Sequence, residues 1–242
     1  KSEEERQRTN DIIRPILRGR DIKRYSYDWA GLWLIWIPWH FPLHLDSSIQ
    51  GSSAEAEQAF MDQYPSVYQH LLLYKPQLSA RNKAETGIRY EWYALQRWGA
   101  NYSDDFSQPK IVWGEISDRS KFAYDANRHF IPEATTFLMS GKSLPYLLCV
   151  LNSPLSEWFF SKLGTTTGVG TVRWKKYTIE ELLIPKAEEY VVDQIECLVE
   201  NYLNNECSLD ELSFRANHLL YKIVGLSEEE ISYVENYYPP LL

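Results

Sequence analysis

The chain has 242 residues, 25 Lys and Arg against 33 Asp and Glu, a formal charge of −8 and a hydrophobic fraction of 44%. That fraction allows a substantial core, whereas no apolar run is long enough to cross a membrane. Three widely separated cysteines without a Cys-x-x-Cys pair exclude a disulfide framework and a zinc knuckle, and they favour a cytoplasmic protein.

The first part of the chain is predicted to begin with a charged lead-in over residues 1–13. No signal peptide is visible. Because the chain starts with lysine and not methionine, we expect it to be an excised piece, the C-terminal part of a longer protein. Residues 30–38 form an apolar run bounded by glycine and proline, which is typical of a buried strand. Residues 53–81 have helical spacing of apolar side chains, interrupted at Tyr64-Pro65.

The middle and the end of the chain are predicted to contain further strands and helices. The strands are expected at residues 92–98, 110–116, 122–125, 135–139 and 173–177, and the helices at residues 144–151, 154–163 and 190–202. Ser-x-x-Glu patterns at residues 208–211 and 227–230 predict the starts of two more helices. The fold class is therefore mixed α/β (α+β): a body with a small mixed sheet and helices, followed by a helical C-terminal tail.

Charge is distributed unevenly along the chain. Residues 177–242 contain three cations and fourteen acids, whereas residues 1–176 contain 22 cations and 19 acids. An asymmetry of this kind indicates more about partners than the total charge does. We therefore expect the acidic third to face protein or solvent, and the first 176 residues to form the body that binds a partner.

Two cationic stretches lie far apart in this body. Residues 18–24 contain four cations, and residues 162–176 contain another four with no acid. The second stretch includes a Gly and Thr loop at residues 164–171. Glycines and small hydroxyl side chains let a loop approach a phosphate backbone closely, and flanking cations neutralise that backbone. The two stretches predict a polyanionic partner, nucleic acid above all.

We find no catalytic motif and no metal-ligand motif in the sequence. The Gly and Thr loop lacks the Gly-Lys-Ser/Thr ending of a phosphate-binding loop. His40 and His44 are four residues apart, but Pro42 prevents the helix that would bring both to one metal. Glu115 and Asp118 stay as untested candidates for a carbohydrate-cleaving pair, because one sequence cannot identify such carboxylates by spacing.

Several blocks, in order, resemble one family. They are residues 13–25, 64–78, 92–95, Pro109-Lys-Ile-Val-Trp113 with residues 115–117, residues 146–153, and Arg173-Trp-Lys-Lys176 with residues 183–186. Together they resemble the C-terminal specificity domain of TaqI-like proteins, the Type IIG restriction–modification enzymes and related adenine-specific DNA methyltransferases. Residues 221–231 are similar to the end of such proteins.

The resemblance implies sequence-specific recognition of double-stranded DNA by a target recognition domain. In the family, a separate N-terminal part binds S-adenosylmethionine, with or without Mg²⁺, and methylates adenine through an Asn-Pro-Pro-Tyr motif; some members also carry a nuclease. This chain has no such motif, so the resemblance implies no cofactor in this fragment and a methyltransferase domain of the parent chain as its partner. Whether the fragment belongs to an enzyme that also cleaves DNA stays open.

The expected domain boundaries follow from these patterns. They are a basic lead-in at residues 1–25, the recognition domain at residues 26–186 and the acidic helical tail at residues 187–242. We expect phosphate contacts from Arg18, Arg20, Lys23, Arg24, Lys175 and Lys176. We expect base or backbone contacts from Arg89, Tyr90, Thr166, Thr167 and Arg173.

Two other functions remain open from sequence alone. The acidic helical tail is the best feature for a protein-interaction module without DNA binding. The acidic pI and the many Trp and Tyr residues are compatible with a carbohydrate-binding protein, although the reduced cysteines and the lack of a signal peptide count against it.

Overall fold

The computed structural model describes residues 2–164 and 171–237. The helices are α1 (Glu3–Ile12), α2 (Ala54–Gln63), α3 (Pro65–Leu72), α4 (Lys75–Ser79), α5 (Ser103–Phe106), α6 (Leu144–Leu151), α7 (Pro154–Leu163), α8 (Lys176–Ile179), α9 (Glu189–Leu203), α10 (Leu209–Val224) and α11 (Glu228–Glu235). The strands are β1 (Ile13–Leu17), β2 (Trp33–Ile35), β3 (Lys110–Gly114), β4 (Ile116–Ser117), β5 (Phe122–Asp125), β6 (Ile131–Pro132), β7 (Thr136–Ser140) and β8 (Val172–Arg173). The predicted mixed class is confirmed, because many helices accompany small sheets of two or three strands.

The chain forms two compact units, and each combines two separate stretches. The first unit consists of Lys1–Ile16 with Leu32–Asp104, and the second consists of Leu17–Gly31 with Asp105–Leu242. These units do not follow the expected boundaries at residues 25 and 186. The physical reason is burial, because the basic stretch and the acidic tail both contribute side chains to the core of the second unit.

An aromatic core holds the first unit together. Helices α2 and α3 continue one apolar pattern, and Pro65 separates them by starting α3 at a first-turn position. The rings of Phe60 and Tyr93 stack with their centroids 4.4 Å apart. The buried carboxylate of Glu91 accepts hydrogen bonds from the backbone N–H groups of His40 and Ser53, at 2.6 and 2.9 Å. The prediction of an interrupted helix over residues 53–81 is confirmed.

The second unit is built on an antiparallel sheet in the order β5-β3-β7. Ile111, Val112 and Trp113 of the central strand are all buried, as their apolar run predicts. A fully buried ion pair links two neighbouring strands, with the Lys110 Nζ atom 2.8 Å from the Asp125 carboxylate. Such a pair needs further hydrogen bonds to be stable, and this one has them.

Both partners of this ion pair are satisfied by the backbone. The ammonium group of Lys110 also donates to the carbonyl groups of Phe106 and Gln108, at 3.0 and 3.3 Å. The Asp125 carboxylate accepts from the N–H groups of the three consecutive residues 128–130, at 2.7 to 3.1 Å. The pair therefore fixes the turn after β5 as well as the edge of the sheet.

The acidic tail belongs to the second unit. Ile195 and Val199 of α9 and Leu212 and Leu220 of α10 are buried in the same cluster as α6. Ser208 caps α10, and Gly225 ends it with the left-handed φ of 77° that glycine adopts without strain. The twelve acids of the tail are exposed except for Glu196, which is half-buried. The helices of the tail thus bury apolar side chains in the core and expose acidic ones to solvent.

Some predicted elements differ from those observed. The prediction of a strand at residues 92–98 is wrong, because residues 92–94 form a buried turn. The backbone carbonyl groups of Trp92 and Ala94 accept hydrogen bonds from the Arg81 side chain. The lead-in is largely the helix α1, with Ser2 at its N-cap. The strand predicted over residues 30–38 is observed only in part, as the three-residue strand β2. In the described part of the chain, no helix combines the length and the hydropathy needed to span a bilayer.

Candidate nucleic-acid interface

A cleft of about 480 Å³ opens on the surface of the second unit. It is formed by the turn that carries the first basic stretch, by the segment from the end of β3 through β4, and by single residues from two further loops. The residues described along its wall are Gly19, Arg20, Ile22, Lys23, Gly114, Glu115, Ile116, Ser117, Asp118, Lys121, Thr135 and Thr171. The cleft therefore joins the predicted basic stretch to the edge of the Gly and Thr loop.

Two glycines let the walls of the cleft come together at its base. A Cβ atom placed on Gly114 would lie 3.4 Å from the backbone of Gly19, and one placed on Gly19 would lie 3.5 Å from Thr135 and Thr136. These are ordinary van der Waals distances, so the turn that carries Arg20 lies directly against the end of β3 at this point.

The cations of the cleft come from two segments: Arg20 and Lys23 from the first basic stretch are exposed, and Lys121 from the segment after β4 is half-buried. Arg20 is exposed and makes no ion pair or hydrogen bond with another described residue. The Lys23 side chain is 47% exposed, and its ammonium group lies 3.7 Å from the carboxylate of Asp28, whose side chain is 80% exposed. Lys121 lies 2.5 Å from the Asp118 carboxylate. Exposed pairs such as these are weak, so both lysines can exchange their partners for a phosphate.

The basic stretch of residues 18–24 is divided between two roles. Arg18 points back to Asp21 and donates two hydrogen bonds to its carboxylate, at 2.8 and 2.7 Å. Asp21 is buried, and the Arg18 guanidinium holds the pKa of its carboxyl below the usual range. Arg20 and Lys23 point outward. Two of the predicted phosphate contacts are therefore on the surface of the cleft, and Arg18 shapes the turn that presents them.

Arg24 is also placed inward. Its guanidinium group donates to the backbone carbonyl of Asn152 and lies 5.8 Å from the centre of the Tyr25 ring. Asn152 is fully buried and clamps β5, because its amide accepts from the N–H group of Phe122 and donates to the carbonyl of the same residue. Arg24 thus stabilises the junction between α6 and the sheet.

The second cationic stretch lies beside the cleft. Arg173 on β8 pairs with Glu115, with 2.8 Å between Nη1 and Oε1. Lys175 lies over the ring of Tyr177 at 5.8 Å, and Lys176 is 73% exposed and 3.6 Å from the Glu180 carboxylate. A short antiparallel ribbon, β4 with β8, pairs Ile116 with Arg173 and thereby brings part of this stretch to the cleft wall.

Trp174 anchors this ribbon to the core. Its ring is buried and stacks on Phe160, with 3.9 Å between the ring centroids and 10° between the planes. Its carbonyl accepts a hydrogen bond from Trp113 Nε1 at 2.8 Å, and its N–H group donates to the Glu115 carbonyl at 2.7 Å. Trp174 therefore links the backbone of Arg173 and Glu115 to the core.

The two candidates predicted in the polar loop at residues 82–90 belong to the first unit. Arg89 is exposed, pairs with Glu85 at 2.9 Å and lies over the Trp39 ring at 5.4 Å. Tyr90 is completely buried, stacks on Trp39 and shares a hydrogen bond of 3.2 Å with the Thr86 hydroxyl. Arg89 is thus presented to solvent, whereas the Tyr90 side chain has no exposed surface to offer a partner.

The remaining predicted contacts, Thr166 and Thr167, lie outside the described residues. The cleft also contains the polar segment that follows β3, from which the sequence predicted no DNA contact, although Glu115 and Asp118 were candidates for a carbohydrate-cleaving pair. Arg119 forms a two-point ion pair with the buried Glu157 at 2.6 and 2.7 Å, which fixes this segment on α7. The signal that could have found it is the run Glu115-Ile-Ser-Asp-Arg-Ser-Lys121, a polar segment directly after a buried strand.

The described residues contain no group of three or more His, Cys, Asp and Glu side chains arranged to hold a metal ion. The residues along the cleft wall offer anion binding by cations and hydrogen bonding by the Glu115 and Asp118 carboxylates and the Ser117 hydroxyl. Cations on a surface shaped by close backbone approach suit a phosphate backbone.

A family model described as the TaqI-like C-terminal specificity domain matches residues 14–184, which is more than two thirds of the chain and includes every segment described along the cleft. No curated protein matches the chain. This chain therefore belongs to the family of TaqI-like C-terminal specificity domains, and that membership indicates DNA sequence recognition in restriction–modification.

Proposed function

We propose that this chain reads double-stranded DNA through the cleft of the second unit. In this proposal it is the specificity domain of a Type IIG-like restriction–modification enzyme or of an adenine-specific DNA methyltransferase. The observation that carries the proposal is the meeting of cations from two segments on one cleft, beside the ribbon that carries Arg173. They are the exposed Arg20 and Lys23 of the first basic stretch and the half-buried Lys121 of the segment after β4. Lys121 and Arg173 lie far in sequence from residues 18–24, so the fold and not the local sequence brings these cations together.

In this proposal, the cations of the cleft contribute affinity and the adjacent ribbon contributes specificity. Exposed cations at its rim neutralise phosphates and set the register of the protein on the duplex, without selecting a sequence. A two-stranded ribbon is one of the elements that fits the major groove, where each base pair presents its own pattern of donors and acceptors. The β4–β8 ribbon, with Arg173 and Glu115 at its base, is the element of the second unit placed for that reading.

The methyltransferase context supplies a physical reason for such a domain. An enzyme that methylates adenine must turn the base out of the duplex, and this costs unstacking and unpairing energy. A specificity domain offsets that cost by holding the flanking DNA. In this proposal the S-adenosylmethionine, with or without Mg²⁺, is bound by a methyltransferase domain of the parent chain, and the present residues hold and select the DNA.

The alternative of a separate protein-interaction module loses its main support. The tail shares one buried cluster with the unit that carries the cleft, so it is not an independent appendage. Its exposed acids would repel DNA, so the tail itself offers no binding surface for a duplex. The carbohydrate-binding alternative gains nothing from the family match.

Selection from a randomised duplex pool tests the proposal. The whole chain should enrich a defined sequence, and a duplex of that sequence should compete with random duplex by a factor of about 10³ or more. The double variant Arg20→Ala/Lys23→Ala should bind all duplexes more weakly, whereas the matched exposed variant Lys222→Ala, on α10 and away from the cleft, should not. Failure to enrich any sequence, or equal losses in both variants, would contradict the proposal.

A further inference from the structure

One ion pair beside the cleft is at odds with simple phosphate binding. Glu115 is 30% exposed and lies in a cleft whose rim is cationic, where a carboxylate would repel any phosphate that approaches. Its partner Arg173 is 43% exposed, and one N–H···O contact of 2.8 Å joins them. The Glu115 carboxylate would weaken phosphate binding, yet it is accessible at the base of the ribbon. A ligand other than phosphate would fit this position better.

The pair is held rigidly by the backbone on both sides. The Glu115 N–H group donates to the Thr135 carbonyl at 3.0 Å, and the Glu115 carbonyl accepts from the Trp174 N–H group at 2.7 Å. Because the Trp174 ring is stacked in the core, the backbone of its neighbour Arg173 is held in place. A site whose side chains extend from an ordered backbone loses little conformational entropy when it binds a ligand.

The pair also has unused hydrogen-bonding capacity. A guanidinium group has five N–H donors, and one of those of Arg173 is committed to Glu115. Within the described residues, the carboxylate of Glu115 has one such partner, at Oε1. Two free N–H donors of Arg173 beside one free oxygen of Glu115 would give the order donor, donor, acceptor.

We propose that Arg173 and Glu115 together read one G·C base pair in the major groove. Guanine presents two acceptors there, N7 and O6, and the paired cytosine presents one donor, the N4 amino group. The order acceptor, acceptor, donor is the complement of the order offered by the protein pair. Arg173 donates to N7 and O6 of guanine, and Glu115 accepts from N4 of cytosine. This inference rests on the proposed DNA-reading function and names the chemistry of one position in the target.

The same arrangement rejects the other base pairs. An A·T pair in the same place presents an acceptor, a donor and an acceptor, so the N6 amino group of adenine would face an N–H donor of Arg173, and O4 of thymine would face the Glu115 carboxylate. Each of these contacts leaves a desolvated polar group without its partner. Discrimination at this position should reach about 10-fold or more.

Exchange of the two side chains provides the sharpest test. The double variant Glu115→Arg/Arg173→Glu keeps the ion pair and the net charge but reverses the order of donors and acceptors. Duplex pools are selected with the wild-type chain and with this variant, and circular dichroism checks that both are folded. The wild-type chain should require G·C at one position, and the variant should prefer the inverted pair, C·G, at that position while the rest of the site stays the same.

Two further variants keep the test decisive if the exchange fails to fold. Arg173→Lys keeps the charge but loses the two-point contact with guanine, so the preference at that one position should fall by about 10-fold. Lys176→Ala, which removes an exposed cation paired with Glu180, should weaken binding to every sequence equally. Affinities for the four single-position duplexes, measured by fluorescence anisotropy, separate the two patterns.

The outcomes distinguish this inference from the proposed function. If the wild-type chain enriches no sequence, the proposed function itself fails. If it enriches a sequence but the exchange leaves the preference at every position unchanged, Arg173 and Glu115 form a structural ion pair and the inference is overturned. Equal loss on all four duplexes with Arg173→Lys would also overturn it, because Arg173 would then be a phosphate contact.

Discussion

Arg18 and Arg20 are two positions apart, yet the structure gives them opposite surroundings. Arg20 is exposed and makes no ion pair or hydrogen bond in the described part of the chain. Replacing it with alanine should weaken binding to all duplexes and make the salt slope of the affinity shallower by about 1, with little change in the unfolding midpoint. Anisotropy titrations at several salt concentrations measure this, and an unchanged slope would contradict a phosphate contact.

Arg18→Ala should act on stability instead. The Asp21 carboxylate is buried, and its hydrogen bonds from Arg18 are the largest cause of its lowered pKa. Because the folded pKa lies below the unfolded one, the pair stabilises the fold above about pH 4 and this contribution is lost as the pH falls through the folded pKa. Urea denaturation should therefore show a large deficit for the variant at pH 7 and a smaller one at pH 3. A deficit independent of pH would contradict this account.

The different roles within residues 18–24 could be predicted only in part. Charge density identified the stretch, and two of its cations are on the cleft. Which side chains point outward depends on the short turn at Gly19–Asp21, where no regular period applies. The Asp at position 21, three residues after Arg18, was the available signal for an internal ion pair. For Tyr90, a polar neighbourhood suggested exposure, but tertiary packing on Trp39 buried the ring.

At the scale of elements, the buried pair of Lys110 and Asp125 should be the most sensitive electrostatic contact of the second unit. Lys110→Met leaves the carboxylate buried without its counter-charge, and this should cost about 3–5 kcal/mol in the free energy of unfolding. Lys121→Met is the matched control, because its pair with Asp118 is partly exposed and should contribute less than about 1 kcal/mol. Urea denaturation compares the two, and similar losses would show that the buried pair has no special role.

The acidic tail should be required for folding of the second unit. Ending the chain after residue 186 would remove α9 and α10, whose buried leucines and valines pack on the core helix α6. The truncated chain should lose its cooperative thermal transition and bind hydrophobic dyes. Circular dichroism melts test this. A truncated chain with an unchanged transition would instead favour the boundary at residue 186 that the sequence indicates.

Elements with strong local signals were the ones that sequence could predict. The helices at residues 144–151 and 154–163 are observed with the same bounds, because Pro145 and Pro154 lie at first-turn positions and apolar spacing is regular. The strand over residues 92–98 was wrong because its carbonyl groups bond to the Arg81 side chain rather than to a neighbouring strand. Such long-range partners leave no trace in a local pattern.

At the scale of the whole molecule, the formal charge of −8 conceals a local cationic surface. The acids that dominate the total are concentrated in the tail, and they lie on its outer faces. Sequence blocks were sufficient to indicate the family, and the family match confirms it. The division into two units, each made of separate stretches of chain, could not be predicted, since it depends on contacts between residues far apart in sequence.

The affinity of the whole chain for random-sequence duplex at about 50 and about 200 mM salt tests the central claim most directly. A cleft that neutralises several phosphates predicts measurable binding at low salt and a fall of at least an order of magnitude at the higher concentration, with a smaller fall for Arg20→Ala/Lys23→Ala. Absence of binding at low salt, or an affinity that does not respond to salt or to these substitutions, would contradict the assignment of the cleft as the DNA-binding surface.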